Sequence, residues 1–142
     1  MKRHETLAPL SREHHAALIL AQLLKKGAPV YKDLPTGKEE KIIYAQNMFQ
    51  NSLKEHFEKE ELLIKKVQHC HADIEKLGRE IMAEHQQLTE FFLSLDKATN
   101  QEDSMDYLGN ALDTHIRKEE RVLFPLIQQH CTEKELQEIG IF

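Results

Sequence analysis

The 142-residue chain is 40 % hydrophobic and 30 % charged, the balance of one folded domain rather than of a disordered tract. Its net charge of −5 argues against a nucleic-acid or anionic-membrane partner. The longest apolar run, Ala16 to Ala21, falls far short of the roughly 20 residues that span a bilayer, and Met1-Lys2-Arg3-His4-Glu5-Thr6 has no apolar stretch behind its charges. No membrane span or secretory leader is expected, and the chain reads as cytoplasmic.

Apolar residues recur at three- and four-residue steps almost throughout, and no segment alternates like a strand. A first helix is expected from Leu7 or Leu10 to Lys26, stopped by Gly27-Ala28-Pro29. After a loop with Pro29, Asp33, Pro35 and Gly37, a second helix runs from about Lys38 to Gln68. Asp73 is the expected cap of a third helix that reaches about Lys97. Asn100 to Ser104 supplies a turn and cap for a fourth helix ending near Gln129, with Pro125 expected to bend it. Thr132-Glu133-Lys134-Glu135 has the capping-box pattern, opening a short terminal helix over about 133–139. The fold class is therefore all-α: one domain over 1–142, an antiparallel up-down four-helix bundle with its core over about 7–129 and a short C-terminal helix.

The core stripes follow from heptad spacing. The first is Leu7, Leu10, His14, Ala17, Ala21 and Leu24, and the second is Ile42, Ala45, Phe49, Ser52, His56, Glu60, Leu63 and Val67. The third is Ile74, Leu77, Ile81, His85, Leu88, Phe92 and Leu95, and the fourth is Met105, Leu108, Leu112, His115, Glu119, Val122 and Leu126. Each stripe contains one of the chain's nine histidines, and two also contain a glutamate. Burying an unpartnered imidazole costs on the order of 1–3 kcal/mol, and an unpaired carboxylate costs more. A bound cation removes the difficulty, because it requires neutral imidazoles and anionic oxygens that point inward.

The spacing supports a cation. In His56-x-x-x-Glu60 and His115-x-x-x-Glu119, residues four apart share one helical face about 6 Å along the axis. His14 and His85 complete the set from the other two helices. His15 is the alternative to His14, about 100° round the helix. A third pair, His71 and Glu75, falls outside the stripes and is set aside. The halves also echo one another, Glu13-His14 with Glu84-His85 and His56-x-x-x-Glu60-Glu61 with His115-x-x-x-Glu119-Glu120, which would place a dinuclear centre between them. Glu61 and Glu120 are expected to face solvent. Tyr44 and Tyr107 are expected as packing or rim residues. Cys70 and Cys131 each follow a histidine, but without a tight Cys-x-x-Cys pair they make a weak zinc signature and read as two reduced thiols near helix ends.

With these residues in view, the sequence resembles the hemerythrin-like, HHE cation-binding domains. The carriers are Ser11-Arg12-Glu13-His14-His15, His56-Phe57-Glu58-Lys59-Glu60-Glu61, Glu84-His85, and His115 to Glu120 followed by Leu123-Phe124-Pro125. The resemblance implies a non-haem di-iron centre, two iron ions with an oxo or hydroxo bridge. By position, His14, His56, His85 and His115 would be terminal ligands, and Glu60 and Glu119 would bridge. Two departures stand out. Oxygen-carrying hemerythrins have a histidine where this chain has Thr89, and a His-x-x-x-x-Asp where this chain has Glu120 after His115. The pattern of four His and two Glu is similar instead to bacterial iron-centre repair and related stress-response proteins, although their cysteine-bearing N-terminal extension is not part of this sequence.

The implied function is binding or reduction of a small oxidant (O2, H2O2 or NO) in stress response, with an unidentified redox or protein partner. The alternatives are an iron- or oxygen-sensing regulatory module without turnover, and a metal-free helical interaction bundle.

Overall fold

The computed structural model describes residues 2–140. All regular structure among them is helical: α1 Ala8–Leu24, α2 Lys38–Met48, α3 Lys54–Val67, α4 Ala72–Ser94, α5 Gln101–Lys118, α6 Phe124–His130 and α7 Glu133–Glu138. Two π turns, Phe49–Leu53 and Glu119–Leu123, join α2 to α3 and α5 to α6 without leaving helical backbone. The chain therefore forms four long rods, α1, α2–α3, α4 and α5–α6, followed by the short α7. No helix among the described residues is long and apolar enough to cross a membrane.

Local chemistry sets the ends. α1 stops at Leu24 rather than Lys26, because Lys25 turns extended (ψ 148°) ahead of Gly27 at φ 73°. α4 is capped by His71, not by Asp73 as expected. The Asp73 N–H donates to His71 Nδ1 at 3.0 Å, and Asp73 sits in the first turn, where its charge suits the helix dipole. Asn100 caps α5, and Thr132 with Glu135 forms a reciprocal capping box on α7.

Three of the expected core positions, Ser52, Val122 and Leu126, are not buried, and the π turns are the reason. A π turn holds one residue more than an α turn, so the inward face slips. Leu53 is buried where Ser52 was expected, and Ser52 is exposed. Leu123 and Ile127 are buried in place of Val122, which is exposed, and Leu126, which is half-buried. Pro125 stands at the second position of α6, directly behind the second π turn, where its missing N–H falls against an already widened turn.

The apolar core lies in two clusters. One holds Ala17 to Leu24 of α1, Ile42 to Phe57, Leu88 to Leu95, and Met105 to Ile116. The other holds Leu7, Leu10, Leu63 to Val67, Ile74, Ile81, and Leu123 onward. Successive rods pass through the clusters in opposite order, and on every rod the polar residues of the stripe fall between them. The core is thus split at mid-height by a polar layer.

α1 and α5 are drawn together at Gly109, where an added Cβ would lie 2.6 Å from the Ala21 carbonyl oxygen and 3.1 Å from Leu24 Cβ. Gly109→Ala gains about 1 kcal/mol of helix propensity, but overpacking against a fixed carbonyl costs about 1–3 kcal/mol. The variant is expected to melt at a lower temperature than the parent by thermal denaturation. A higher melting temperature would contradict the close approach.

Candidate metal centre

His14 reaches the polar layer from α1, His56 and Glu60 from α3, His85 from α4, His115 from α5 and Glu119 from the second π turn. None is more than 4 % exposed. His15, the alternative to His14, is exposed, and His71 and Glu75 lie outside the layer. The six donors fall into two groups that share both carboxylates. His14, His56, Glu60 and Glu119 have donor atoms within 4.8 Å of one another, and so do Glu60, His85, His115 and Glu119.

Every imidazole turns its Nε2 inward. Glu60 is hydrogen-bonded by His14 at 2.9 Å and His85 at 3.1 Å; His56 Nε2 stands 3.1 Å from Glu60 without hydrogen-bond geometry, and Glu119 Oε1 stands 3.2 Å from His14 Nε2 and 3.3 Å from His115 Nε2. The Glu119 approaches lack hydrogen-bond geometry. Both Glu119 oxygens, His56 Nε2 and His115 Nε2 are buried with no hydrogen-bond partner. Groups this deep are ordinarily satisfied, so four orphans converging on one layer need an explanation.

An outer layer explains how the rings are held. His14 Nδ1 meets Glu120 at 2.6 Å, His56 Nδ1 meets Glu13 at 2.8 Å, His85 Nδ1 meets Glu61 at 2.9 Å and His115 Nδ1 meets Glu84 at 2.7 Å. Each carboxylate accepts the Nδ1 proton, which leaves the inward Nε2 free to act as a donor atom. The pattern has two-fold symmetry: the glutamate before a lone histidine serves the other helix's His-x-x-x-Glu, and the glutamate after Glu60 or Glu119 serves a lone histidine. Lys59 braces Glu13 at 3.1 Å and Lys118 braces Glu84 at 2.5 Å, each lysine immediately preceding an inward glutamate. Glu120 is held further by Arg3 at 2.8 Å and Ser11 at 3.2 Å.

Glu61 and Glu120, expected to face solvent, are thus committed to His85 and His14. Glu13 and Glu84 had no expected role at all. The available signal was the repeated dipeptide: a residue next to an inward position sits about 100° round and points at the neighbouring rod. Thr89 does not enter the layer; its hydroxyl donates to the His85 carbonyl at 2.7 Å. Phe57 stacks on His85 at 4.2 Å between centroids, and Phe124 stacks on His14 at 5.7 Å, giving both ends of the layer an apolar wall.

The two inner carboxylates differ in charge. Burial pushes Glu60 up, but His56, His14 and His85 outweigh it and hold Glu60 well below the usual carboxylate range. Burial and the charge of Glu60 together push Glu119 well above that range. Burial pushes His14 down, yet its contacts with Glu119, Glu120 and Glu60 raise it to about 12. His115 is lowered by burial despite its bond to Glu84. These shifts favour the anion at Glu60, the protonated acid at Glu119 and the charged imidazole at His14.

Cys70 and Cys131 are both free and lie away from this layer, at the end of the bundle where α3 and α6 finish. Burial pushes both thiols up.

Comparison with known proteins agrees with this geometry. Residues 76–140 match the family model of the hemerythrin HHE cation-binding domain, a stretch that contains Glu84, His85, His115, Glu119 and Glu120. No curated protein and no solved structure matches the chain.

The charge assignment predicts an asymmetry in chelator-treated protein. Glu119→Gln mimics a protonated acid and should change unfolding free energy by less than about 1 kcal/mol. Glu60→Gln removes the anion that three imidazoles address and should cost about 3–5 kcal/mol. Chemical denaturation of the two variants measures both, and the reverse order would contradict the assignment.

Proposed function

We propose that this hemerythrin-like chain is a non-haem di-iron protein that binds or reduces a small oxidant, O2, H2O2 or NO, in the stress response of the cytoplasm. In this reading the four rods make one antiparallel up-down bundle, a single domain with its core over about 7–129 and a short terminal helix at about 133–139. His14 and His56 hold one iron, His85 and His115 hold the other, and Glu60 and Glu119 serve both. The observation that carries the reading is the set of four partnerless buried atoms, two imidazole nitrogens and two carboxylate oxygens, all within the two donor groups. A cation supplies what each of them lacks.

Mixed imidazole and carboxylate donors suit iron, and the match to a cation-binding family adds support. Bound there, iron supplies one-electron redox chemistry and, with only four shared and unshared protein donors apiece, room for a small ligand. The chain's own residues do the rest. Glu13, Glu61, Glu84 and Glu120 fix each ring and keep its Nδ1 proton on the outer side. Phe57 and Phe124 restrict water at the two ends of the layer. A cavity of about 320 Å³ between α4 and α5, edged by Phe91 and Tyr107, reaches His115 and Glu84 and provides the approach for a small molecule. The thiols Cys70 and Cys131, both unpaired, accord with a reducing compartment.

Loading must displace protons from Glu119 and His14, so iron affinity is expected to rise with pH. The metal-free fold should behave oppositely. Glu119 and His14 are raised above their ordinary values of 4.5 and 6.5, so their contribution is full below those values and fades as pH rises. Glu84, lowered to about 2 by His115 and Lys118 against burial, contributes above its ordinary 4.5 and fades as pH falls. Thermal melts of metal-free protein should therefore peak near about pH 5 and decline toward about pH 8. A metal-free stability that climbs steadily to pH 8 would contradict the proton assignment.

The function itself is tested by anaerobic loading with ferrous iron under reducing conditions, followed by elemental analysis. Two irons per chain are expected, falling to about one in His56→Ala or His115→Ala. A folded parent chain that takes up no iron would end the proposal.

A further inference from the structure

The two His-Cys steps of the sequence, far apart along the chain, meet in space. The 3-10 turn Gln68–Cys70 after α3 brings His69 and Cys70 against the junction of α6 and α7, where Cys131 and Glu135 lie. His69 Nε2, Cys70 Sγ and a Glu135 carboxylate oxygen lie within 4.8 Å of one another. His69 Nε2 is 3.8 Å from Cys70 Sγ and 2.8 Å from Glu135 Oε2. Cys131, which is buried, is not one of this group. Glu135 has divided its work: Oε1 accepts the Thr132 N–H at 2.8 Å to close the capping box, and Oε2 is left for His69.

A thiol, an imidazole and a carboxylate are donors that suit a borderline-soft divalent ion. With zinc–sulfur near 2.3 Å and zinc–nitrogen near 2.0 Å, a tetrahedral edge between the two donors is about 3.5 Å. The observed His69 to Cys70 separation is within a few tenths of an ångström of that edge. The His69 to Glu135 hydrogen bond would need to open slightly to admit the ion. None of these residues takes part in the polar layer.

We propose that His69, Cys70 and Glu135 form a second cation site that takes one zinc-class ion and ties the start of α7 to the turn between α3 and α4. The Cys70 thiol gives up its proton to solvent when the ion enters, and no redox change is involved. Protein fills three positions, and the fourth is open to solvent. The site stands apart from the di-iron reading and does not depend on it.

Cobalt(II) added to the reduced full-length chain is the test, because thiolate ligation gives a charge-transfer band in the near ultraviolet that the sulfur-free polar layer cannot produce. One equivalent of cobalt should develop the band, and zinc should bleach it. Cys70→Ser should abolish it, while Cys131→Ser and His56→Ala leave it intact. In the unaltered protein, zinc should also slow the reaction of Cys70 with a thiol reagent. No band, a full band in Cys70→Ser, or no zinc protection of Cys70 would each overturn the proposal.

Discussion

Two carboxylates face each other in the middle of this protein, enclosed by its core. Glu60 and Glu119 are both fully buried, they come from different rods, and each raises the free energy of ionising the other. Four imidazoles converge on them, but their geometry satisfies only Glu60. The rest of the fold is arranged around this unbalanced pair. Apolar clusters above and below seal it, and each rod contributes at least one polar side chain to it.

Such a layer is costly for a helical bundle, since a well-packed apolar core of equal volume would be at least as stable. Its persistence is intelligible if the layer's full complement includes cations. The outer glutamates support the same conclusion from another direction. A histidine meant only to fill space has no need of a carboxylate on the side away from the core, whereas one that must present Nε2 to a ligand does. All four have that carboxylate, at 2.6–2.9 Å. The π turns belong to the same arrangement. One lies just before His56 and the other begins with Glu119, and π-helical turns are frequent where a helix must place a side chain for function.

Much of this was legible from residue spacing, because heptad periodicity reports directly which face is inward. The six layer residues and the interruptions between rods follow from it. It failed at Ser52 and Val122, where the π turns insert a residue that no periodic reading contains. It also chose Asp73 over His71 as a cap, since a histidine ring accepting a backbone N–H is a rarer solution than an aspartate. The role of Glu13 and Glu84 went unforeseen for a different reason. Their role depends on which rod lies beside which, and that is a property of packing rather than of any single helix. The meeting of Cys70 with Glu135 was hidden in the same way, by the long stretch of chain between them.

The most direct test of the central claim is anomalous diffraction at the iron edge from crystals of the iron-loaded chain. The account predicts two peaks inside the polar layer, one beside His14 and His56, the other beside His85 and His115, with Glu60 and Glu119 touching both. A layer without anomalous scattering, with His56 and His115 still unpaired, would contradict it.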